Sequence, residues 1–336
     1  MKILVRGIPR GYQFPRADGN WLQPKHRAQI LSAVPGADLL EIPAERVTGV
    51  DLDGIEIGFV EGGNAVHYPG ELDWADYEKL FSPGLRWVQL CSTGFTENVT
   101  PQILSGAVTL TNAPGLHTIP IAESVVAAML QHAKHLGRRA RNQQLHAWHR
   151  LDNDELSGRT VLLIGLGRIG QKVAQLCHAF DMRVIGTRRT VAPIAGIELV
   201  FPSDQLPREL PAADYIVIAA PHTPESEHLI DAAAFAAMKP TAYLINVGRG
   251  KVVDEAAMLN ALHSNRIAGA YLDAFAQEPL PAGHPFWNMP NVLLVPHDSH
   301  SSPYIGDRLV DMFCANLRRY VAGEPLLNVC DPRRGY

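Results

Sequence analysis

Residues 161–170 read VLLIGLGRIG, a β-branched and leucine run that empties into Gly165, Gly167 and Gly170. A strand that becomes a helix in so few residues needs one glycine for the turn, one where backbone amides approach an anion, and one where the helix packs on its strand. The helix N-terminus then faces a pyrophosphate, which makes Gly165, Gly167, Arg168, Ile169 and Gly170 candidates for binding a dinucleotide. Glycine-rich strand-to-helix turns also serve packing alone, so the surroundings decide. Apolar residues at Ile169, Val173, Leu176 and Phe180 keep close to a helical period over 168–180, and 182–187 follows as a strand. This is the βαβ context that the motif requires.

The end of that second strand carries the next constraint. An NAD-specific site places Asp or Glu about 20 residues past the glycines, where it accepts hydrogen bonds from the ribose 2′-hydroxyl. Here the chain has Thr187, Arg188, Arg189 and Thr190, while Asp181 precedes the strand and Glu198 comes well after it. Two guanidiniums and two hydroxyls suit a 2′-phosphate. The expectation is NADP(H) rather than NAD(H), with NAD(H) left open. The structural alternative is a solvated arginine pair on a turn.

At 336 residues the chain exceeds the usual size of one hydrophobic core, which predicts two domains. A net charge of -4, with Lys and Arg scattered throughout, argues against nucleic acid or an anionic membrane surface as partner. No apolar run approaches the roughly 18 residues of a membrane span, and the one in residues 1–10 is too brief for a signal peptide. A cytoplasmic protein is expected. Cys91, Cys177, Cys314 and Cys330 show no CxxC spacing, which points away from a zinc site or a disulfide framework and toward reduced, mostly buried thiols.

Short apolar runs alternate with helical patterns almost throughout, the signature of parallel α/β architecture. In the first part, 2–5, 55–60, 87–91 and 107–111 read as strands, with helices over 24–34 and 74–81 and no phosphate-binding loop. From 161–164 onward, strands recur at 183–187, 215–219, 242–246, 268–272 and 292–295, a complete nucleotide-binding sheet. Two long helices mark the joints. One is predicted over 120–137, opening on Pro120 and closing on Gly137. The other spans 303–322 with Ile305, Leu309, Phe313, Leu317 and Tyr320 on one face, and carries the chain back to the first domain. The expected organisation is a discontinuous substrate domain, 1–111 with 297–336, and an inserted dinucleotide-binding Rossmann domain over 112–296.

Three further residues stand where strands of the nucleotide sheet end: Arg249 in INVGRG, Glu278 in DAFAQEPLP and His297 in LLVPHDSH. Carboxyl ends of strands in an open α/β sheet are where ligands bind. A guanidinium can hold a carboxylate and polarise a carbonyl, an imidazolium can protonate oxygen as hydride reaches carbon, and a carboxylate behind the imidazole orients it and favours its charged form. Singly, each has a structural alternative: a surface histidine, a loop-capping glutamate, a turn arginine between glycines. The combination in one strand order favours the chemical reading. His132 with His135, and His146 with His149, have the spacing of metal ligands on a helix face. No acidic or Cys partner lies at suitable spacing, so they read as helix-surface or interface residues and no metal is expected. The alanine-rich stretch 231–238 reads as packing.

At this point the sequence resembles the D-isomer-specific 2-hydroxyacid dehydrogenase family. The resemblance rests on WVQLCSTGFTEN at 87–98, TNAPGLHTIPIAE at 111–123, GLGRIG, APHTPESEHLI at 220–230, INVGRG, DAFAQEPLP and the final PH, and so covers nearly the whole chain. It implies two Rossmann-like domains, the substrate domain flavodoxin-like, with a cleft between them. It implies Arg249 as the substrate-binding arginine, Glu278 as partner of the catalytic histidine and His297 as acid and base. Backbone amides around Thr93 and Gly94 would hold the substrate carboxylate. Pro221, His222, Val247, Gly248, Asp273 and His297 would line the cofactor, and association would be as a homodimer through the nucleotide domains.

The chain departs from the commonest family pattern in two places. Arg188 and Arg189 stand where NAD-linked relatives carry Asp, as in NADPH-preferring glyoxylate and hydroxypyruvate reductases. Asp298 and His300 occupy positions that are often apolar or small, and the position of His300 faces the substrate in several relatives. A polar wall there would suit a substrate with a hydroxyl or second acid group, and a bond from His300 to a neighbouring loop is the alternative. Residues 60–68 would supply another part of the wall. The implied activity is NADPH-dependent, reversible reduction of a 2-oxo acid, glyoxylate-like, hydroxypyruvate-like or larger, to the D-2-hydroxy acid. The rival is a dinucleotide-sensing, corepressor-like binding protein on the same fold, against which the retained Arg, Glu and His argue.

Overall fold

The alternating apolar runs fold into two parallel sheets, each in its own unit of the chain. A computed structural model describes residues 1–6, 22–42, 51–60, 81–95 and 98–333. Met1–Leu116 with Ser302–Tyr336 forms one unit and His117–Ser301 the other. Strands foreseen from the sequence lie within two residues of their expected bounds.

The first unit contains β1 (Lys2–Arg6), β2 (Asp38–Ile42), β3 (Ile55–Val60), β4 (Trp87–Leu90) and β5 (Thr109–Thr111), in the order β2-β1-β3-β4-β5 and parallel throughout. This is the flavodoxin-like strand order. β2 was not foreseen: Asp38 and Glu41 interrupt its apolar pattern, as an edge strand tolerates. Of the helix expected over 74–81 and the segment 60–68, only Val60 and Phe81 are described; Val60 closes β3 and Phe81 is not helical. The helix Ile305–Val321 returns the tail to this unit. Phe313 stacks on Phe59 with ring centroids 4.0 Å apart, and the buried Asn316 amide donates to Gln89 Oε1 and to the Leu327 carbonyl. His26, buried on the helix Pro24–Ala33, lies 2.6 Å from the Asp307 carboxylate.

The second unit holds β6 (Thr160–Ile164), β7 (Arg183–Thr187), β8 (Leu199–Phe201), β9 (Tyr215–Ile218), β10 (Tyr243–Asn246), β11 (Gly269–Leu272) and β12 (Val292–Leu294). Their order, β12-β11-β10-β9-β6-β7-β8, starts at the centre and winds outward both ways, the dinucleotide-binding arrangement with one strand added. Its switch point lies between β6 and β9, immediately beside the glycine turn. Both faces are covered: Leu162, Ile164, Ile216 and Leu244 enter one core while Val161, Leu163, Val217 and Ile245 enter the other. Strands buried on both faces read as continuous apolar runs, whereas β8 is only three residues long, with an exposed Leu199, and was missed.

Two expectations need correction. The helix predicted over 120–137 is two helices, Thr118–Ala133 and Leu136–Gln144. Pro120 is the third residue of the first and Gly137 the second residue of the next; the break is His135, in the left-handed region at φ 51°. The apolar stripe of Ile121, Ala122, Val125, Ala128, Met129 and Ala133 packs into the sheet and stops at Ala133, so burial ends where the helix does. The joints also fall later, at 116/117 and 301/302 rather than 111/112 and 296/297. Ala113 and Leu116 enter the core of the first unit, and the Asn112 N–H donates to the Asn328 carbonyl. Residues 297–301 are held in the second unit by the contacts of His297 with Glu278 and of Ser299 with Asp273. Among the described residues no helix is long and apolar enough to cross a membrane, and the four cysteines are buried and form no disulfide with one another.

Candidate active site

The three glycines of the β6 turn play different parts. Gly165 sits at φ +101°, and a Cβ there would meet the Ala219–Ala220 backbone at 2.9 Å; a Cβ on Gly170 would collide with the Gly165 carbonyl oxygen. A Cβ on Gly167 would meet nothing within 4 Å, although this residue caps the helix Arg168–His178. Two glycines thus close the turn and the third leaves room over a helix N-terminus, the space a pyrophosphate needs. Thr187 fastens the end of β7 to this loop: its hydroxyl accepts the Gly165 N–H at 3.2 Å and its carbonyl the Leu166 N–H at 3.0 Å. Arg188, Arg189 and Thr190 follow, all exposed. Neither arginine side chain has a hydrogen bond or ion pair among the described residues, and Arg189 contributes, behind a hydrogen bond from Thr223, to holding the Glu225 carboxyl below its usual range. An exposed, uncommitted guanidinium pair beside the glycine turn fits a 2′-phosphate. Pro221 and His222 lie exposed beyond β9, where His222 Nε2 stands 3.9 Å from the Glu227 carboxylate.

Beyond β10 the chain is drawn tight to display one side chain. The Asn246 side chain accepts the Gly248 N–H at 3.0 Å and donates to the Arg249 carbonyl at 3.2 Å. A Cβ on Gly248 would lie 2.7 Å from the Ala220 carbonyl oxygen, and one on Gly250 would collide with the Phe275 backbone. Val247 is buried while Arg249 is exposed, its guanidinium bonded among the described residues only to the Gly248 carbonyl, at 2.8 Å. A cation not spent on a protein carboxylate is available to a ligand's.

Glu278 and His297 are in direct contact. Glu278 Oε1 accepts the Phe275 N–H at 2.9 Å, and Oε2 lies 2.7 Å from His297 Nδ1. His297 adopts φ 53°, a conformation that costs an ordinary residue about 1–2 kcal/mol. The hydrogen bond that His297 donates to Glu278 raises the His297 pKa; burial opposes it, and the charges of Glu278 and Asp273 add to the rise against that of Arg249. Burial works to raise the Glu278 carboxyl, but the His297 bond and the Phe275 N–H outweigh it and hold it below the usual carboxylate range. Nδ1 is committed to Glu278, which leaves Nε2 for a ligand.

Asp273, buried at the end of β11, has both oxygens engaged: Ser299 donates its N–H to one at 3.1 Å and its hydroxyl to the other. Burial raises its pKa while the two Ser299 bonds oppose the rise. The half-buried His300 ring stands edge-on to His297, centroids 6.1 Å apart, and edge-on to His117 at 5.2 Å. Asp298 points to no partner among the described residues and is exposed. His117 was not singled out from the sequence, where it is one letter of a matched run 183 residues from His300. Thr93 and Gly94 lie in the first unit, past the end of β4. The Thr93 hydroxyl donates to the Ala113 carbonyl at 3.2 Å, Asn112 donates to the Thr93 carbonyl at 2.6 Å, and neither the Thr93 nor the Gly94 N–H meets an acceptor among the described residues. Arg249, Glu278, His297 and His300 thus share one unit with the nucleotide residues, and Thr93 and Gly94 belong to the other.

The histidine pairs do not share helix faces. The left-handed His135 ends the helix that carries His132 and bonds to the Asp152 carbonyl at 2.9 Å, while His146 and His149 follow the end of Leu136–Gln144. Among the described residues no group of three or more His, Cys, Asp or Glu is placed to hold a metal.

A glycine cradle at the switch point of a dinucleotide-type sheet, with an arginine and a Glu–His pair at neighbouring strand ends, defines a nicotinamide-dependent α/β oxidoreductase. The comparisons with known proteins agree. Residues 126–299 match the model of the D-isomer specific 2-hydroxyacid dehydrogenase, NAD binding domain. A glyoxylate reductase of Thermofilum pendens is 33% identical over 252 residues, 72% of this chain and 74% of that one. Among solved structures, a D-isomer specific 2-hydroxyacid dehydrogenase from Xanthobacter autotrophicus in complex with NADPH superposes with a TM-score of 0.76 at 29% identity, covering 99% of both chains. An NADPH-dependent glyoxylate/hydroxypyruvate reductase from Sinorhizobium meliloti, in complex with NADP and sulfate, gives a TM-score of 0.75 at 26% identity over the whole of both chains. The chain belongs to the D-isomer-specific 2-hydroxyacid dehydrogenase family and is an enzyme of that class.

His132 makes a separate, measurable contribution. Its ring stacks on Tyr243 at 4.1 Å, and burial, reinforced by the charge of His135 against that of Asp154, pushes its pKa down to about 4. A folded-state pKa below the unfolded value of about 6.5 gives stability that is present above pH 6.5 and lost as pH falls toward 4. Urea unfolding between pH 7 and 5 should show His132→Phe, which keeps the ring stack, losing about 1 kcal/mol less than the wild type after allowance for solvent screening. Parallel losses in the two proteins would contradict this role.

Proposed function

We propose that the protein reduces a 2-oxo acid to the D-2-hydroxy acid with NADPH, reversibly, and that the observation carrying this reading is the 2.7 Å Glu278–His297 pair beside an uncommitted Arg249. Arg249 holds the substrate carboxylate with two parallel bonds and polarises the carbonyl. When bound, the dihydronicotinamide supplies a hydride to the carbonyl carbon. His297, protonated, gives its Nε2 proton to the carbonyl oxygen, and Glu278 steadies the imidazolium before transfer. Reduction is favoured on the acidic side and oxidation on the alkaline side, because the two directions need opposite states of His297.

The open space at Gly167 with Arg168, Ile169 and Gly170 takes the pyrophosphate, and Arg188, Arg189 and Thr190 take the 2′-phosphate. Pro221, His222, Val247 and Gly248 flank the cofactor, and Asp273 faces it through its end of β11. The exposed arginine pair supports NADPH over NADH, as do the NADPH and NADP complexes of the two solved relatives described above. The retained Arg249, Glu278 and His297 favour catalysis over dinucleotide sensing.

Association as a homodimer belongs to the same reading. The helix Leu136–Gln144 buries no residue, and Leu145 and Trp148 after it are 70% and 96% exposed, an apolar surface of the kind that protein partners cover. Light scattering should give a dimer that Trp148→Arg shifts toward monomer; a monomeric wild type would contradict it.

The activity is tested by following NADPH and NADH oxidation with glyoxylate, hydroxypyruvate, pyruvate and phenylpyruvate. Turnover with NADPH above NADH is expected. His297→Ala should lower kcat at least about 10²-fold, and the Arg188→Ala, Arg189→Ala double variant should raise the KM for NADPH and not that for NADH. No turnover of any acid, or full activity in His297→Ala, would overturn the reading.

A further inference from the structure

The arm that carries Glu278 has few anchors of its own. From Phe275 to Pro285 no residue is buried, Leu280 touches the core only in part, and the first side chain beyond Ala274 to enter it completely is Phe286. The Pro281 carbonyl accepts the His284 N–H and the Trp287 indole N–H, both at 2.9 Å, which folds 281–287 into a compact turn without attaching it to anything else. One side chain makes that attachment. His284 Nδ1 accepts the Phe286 N–H at 3.3 Å, so the ring proton sits on Nε2, which lies 3.2 Å from Glu255 Oε1. Among the described residues this is the one hydrogen bond from 279–287 to another element.

Glu255 is a fixed point. It opens the helix Glu255–His263, whose N-cap Asp254 accepts the Ala257 N–H at 3.1 Å and donates its own N–H to the Ile230 carbonyl at 2.9 Å. Ala257, Met258, Ala261 and Leu262 of this helix are buried in the core of the sheet. Its far end holds the same stretch of chain again, the Leu262 carbonyl accepting the Asn291 side-chain N–H at 3.2 Å. Glu255 follows shortly after Arg249, and His284 shortly after Glu278, so their bond joins the segment that displays the arginine to the segment that displays the carboxylate.

We propose that His284 and Glu255 brace the loop between β11 and β12 and act as positioning residues that hold the Glu278 carboxylate against His297. The inference rests on the reading of His297 as proton donor. A carboxylate on an exposed arm keeps a 2.7 Å contact only while the arm keeps its place, because the strength of a charge-assisted bond depends on short, aligned geometry. Such a brace has a signature that plain stability lacks. With the carboxylate held more loosely, His297 gives up its proton at lower pH. Above its pKa the protonated fraction, and with it the rate of reduction, falls in proportion; well below it the ring stays charged and the rate is unchanged.

The test compares Glu255→Ala, Glu255→Gln and His284→Asn with the wild type. Glu255→Ala removes the acceptor, whereas Glu255→Gln removes the charge and keeps an oxygen for the Nε2–H. His284→Asn keeps an acceptor for the Phe286 N–H, as a capping residue does, and is too short to reach Glu255. An NMR titration of the His297 ring, assigned by its loss in His297→Asn, reads the proton without substrate or cofactor. Alongside it, kcat/KM for glyoxylate and hydroxypyruvate with NADPH is followed from about pH 5 to about pH 9. In Glu255→Ala and His284→Asn the His297 titration should move down by about half a pH unit, and kcat/KM should fall about threefold at alkaline pH with little change at acid pH. Glu255→Gln should match the wild type in both. A loss of kcat/KM of the same size at every pH, a lowered melting temperature with an unmoved His297 titration, or a Glu255→Gln variant shifted as far as Glu255→Ala would overturn the inference. Glu278→Gln separates the two readings. If it shifts the His297 titration and the brace variants do not, the inference alone fails; if it leaves the titration unmoved, the account of the proton donor fails and the inference with it.

Discussion

The contact between Glu278 and His297 sets the terms for everything around it. An imidazole without a carboxylate behind it would be mostly neutral near neutral pH and could not serve as a proton donor there. Glu278 supplies that carboxylate, itself oriented by the Phe275 N–H, and draws the His297 pKa upward against a partly buried environment. The sheet brings the two together: β11 and β12 are parallel neighbours, and the loops leaving their carboxyl ends carry Glu278 and His297. His297 reaches its partner from a left-handed backbone conformation, so local backbone energy is offset by the charge-assisted bond at its ring.

The same sheet explains why three separate segments meet. β10 and β11 are paired in register, which places the loop bearing Arg249 beside Phe275, and the glycines on either side of Arg249 allow the backbones to approach where a Cβ would clash. β6 and β7 deliver the glycine turn and the arginine pair to the same edge of the sheet, tied by Thr187. A substitution that closes any of these approaches acts on side chains it never touches.

Much of this was legible in the sequence, for identifiable reasons. Strands buried on both faces announce themselves as apolar runs, so β6, β9 and β10 were plain. β2 and β8 were not, because edge strands tolerate Asp38, Glu41 and an exposed Leu199. Pro120 and Gly137 suggested the ends of one helix, whereas burial of its apolar stripe ends at Ala133 and His135 supplies the break. Arg249, Glu278 and His297 could be found because strand ends can be counted along the chain. His117 could not, because its partner is distant in sequence and meets it only through the packing of the helix Thr118–Ala133 in the second unit. The involvement of Ser299 with both oxygens of Asp273 was hidden for the same reason.

The central claim is that Glu278 keeps His297 protonated for reduction, and the pH dependence of kcat/KM for 2-oxo acid reduction tests it most directly. In the wild type the rate should be highest at acid pH and decline as pH rises through a pKa above 6.5, the ordinary histidine value. In Glu278→Gln that decline should move to lower pH, since the amide keeps the size of the side chain and removes its charge. Superimposable profiles for the two proteins would contradict the account.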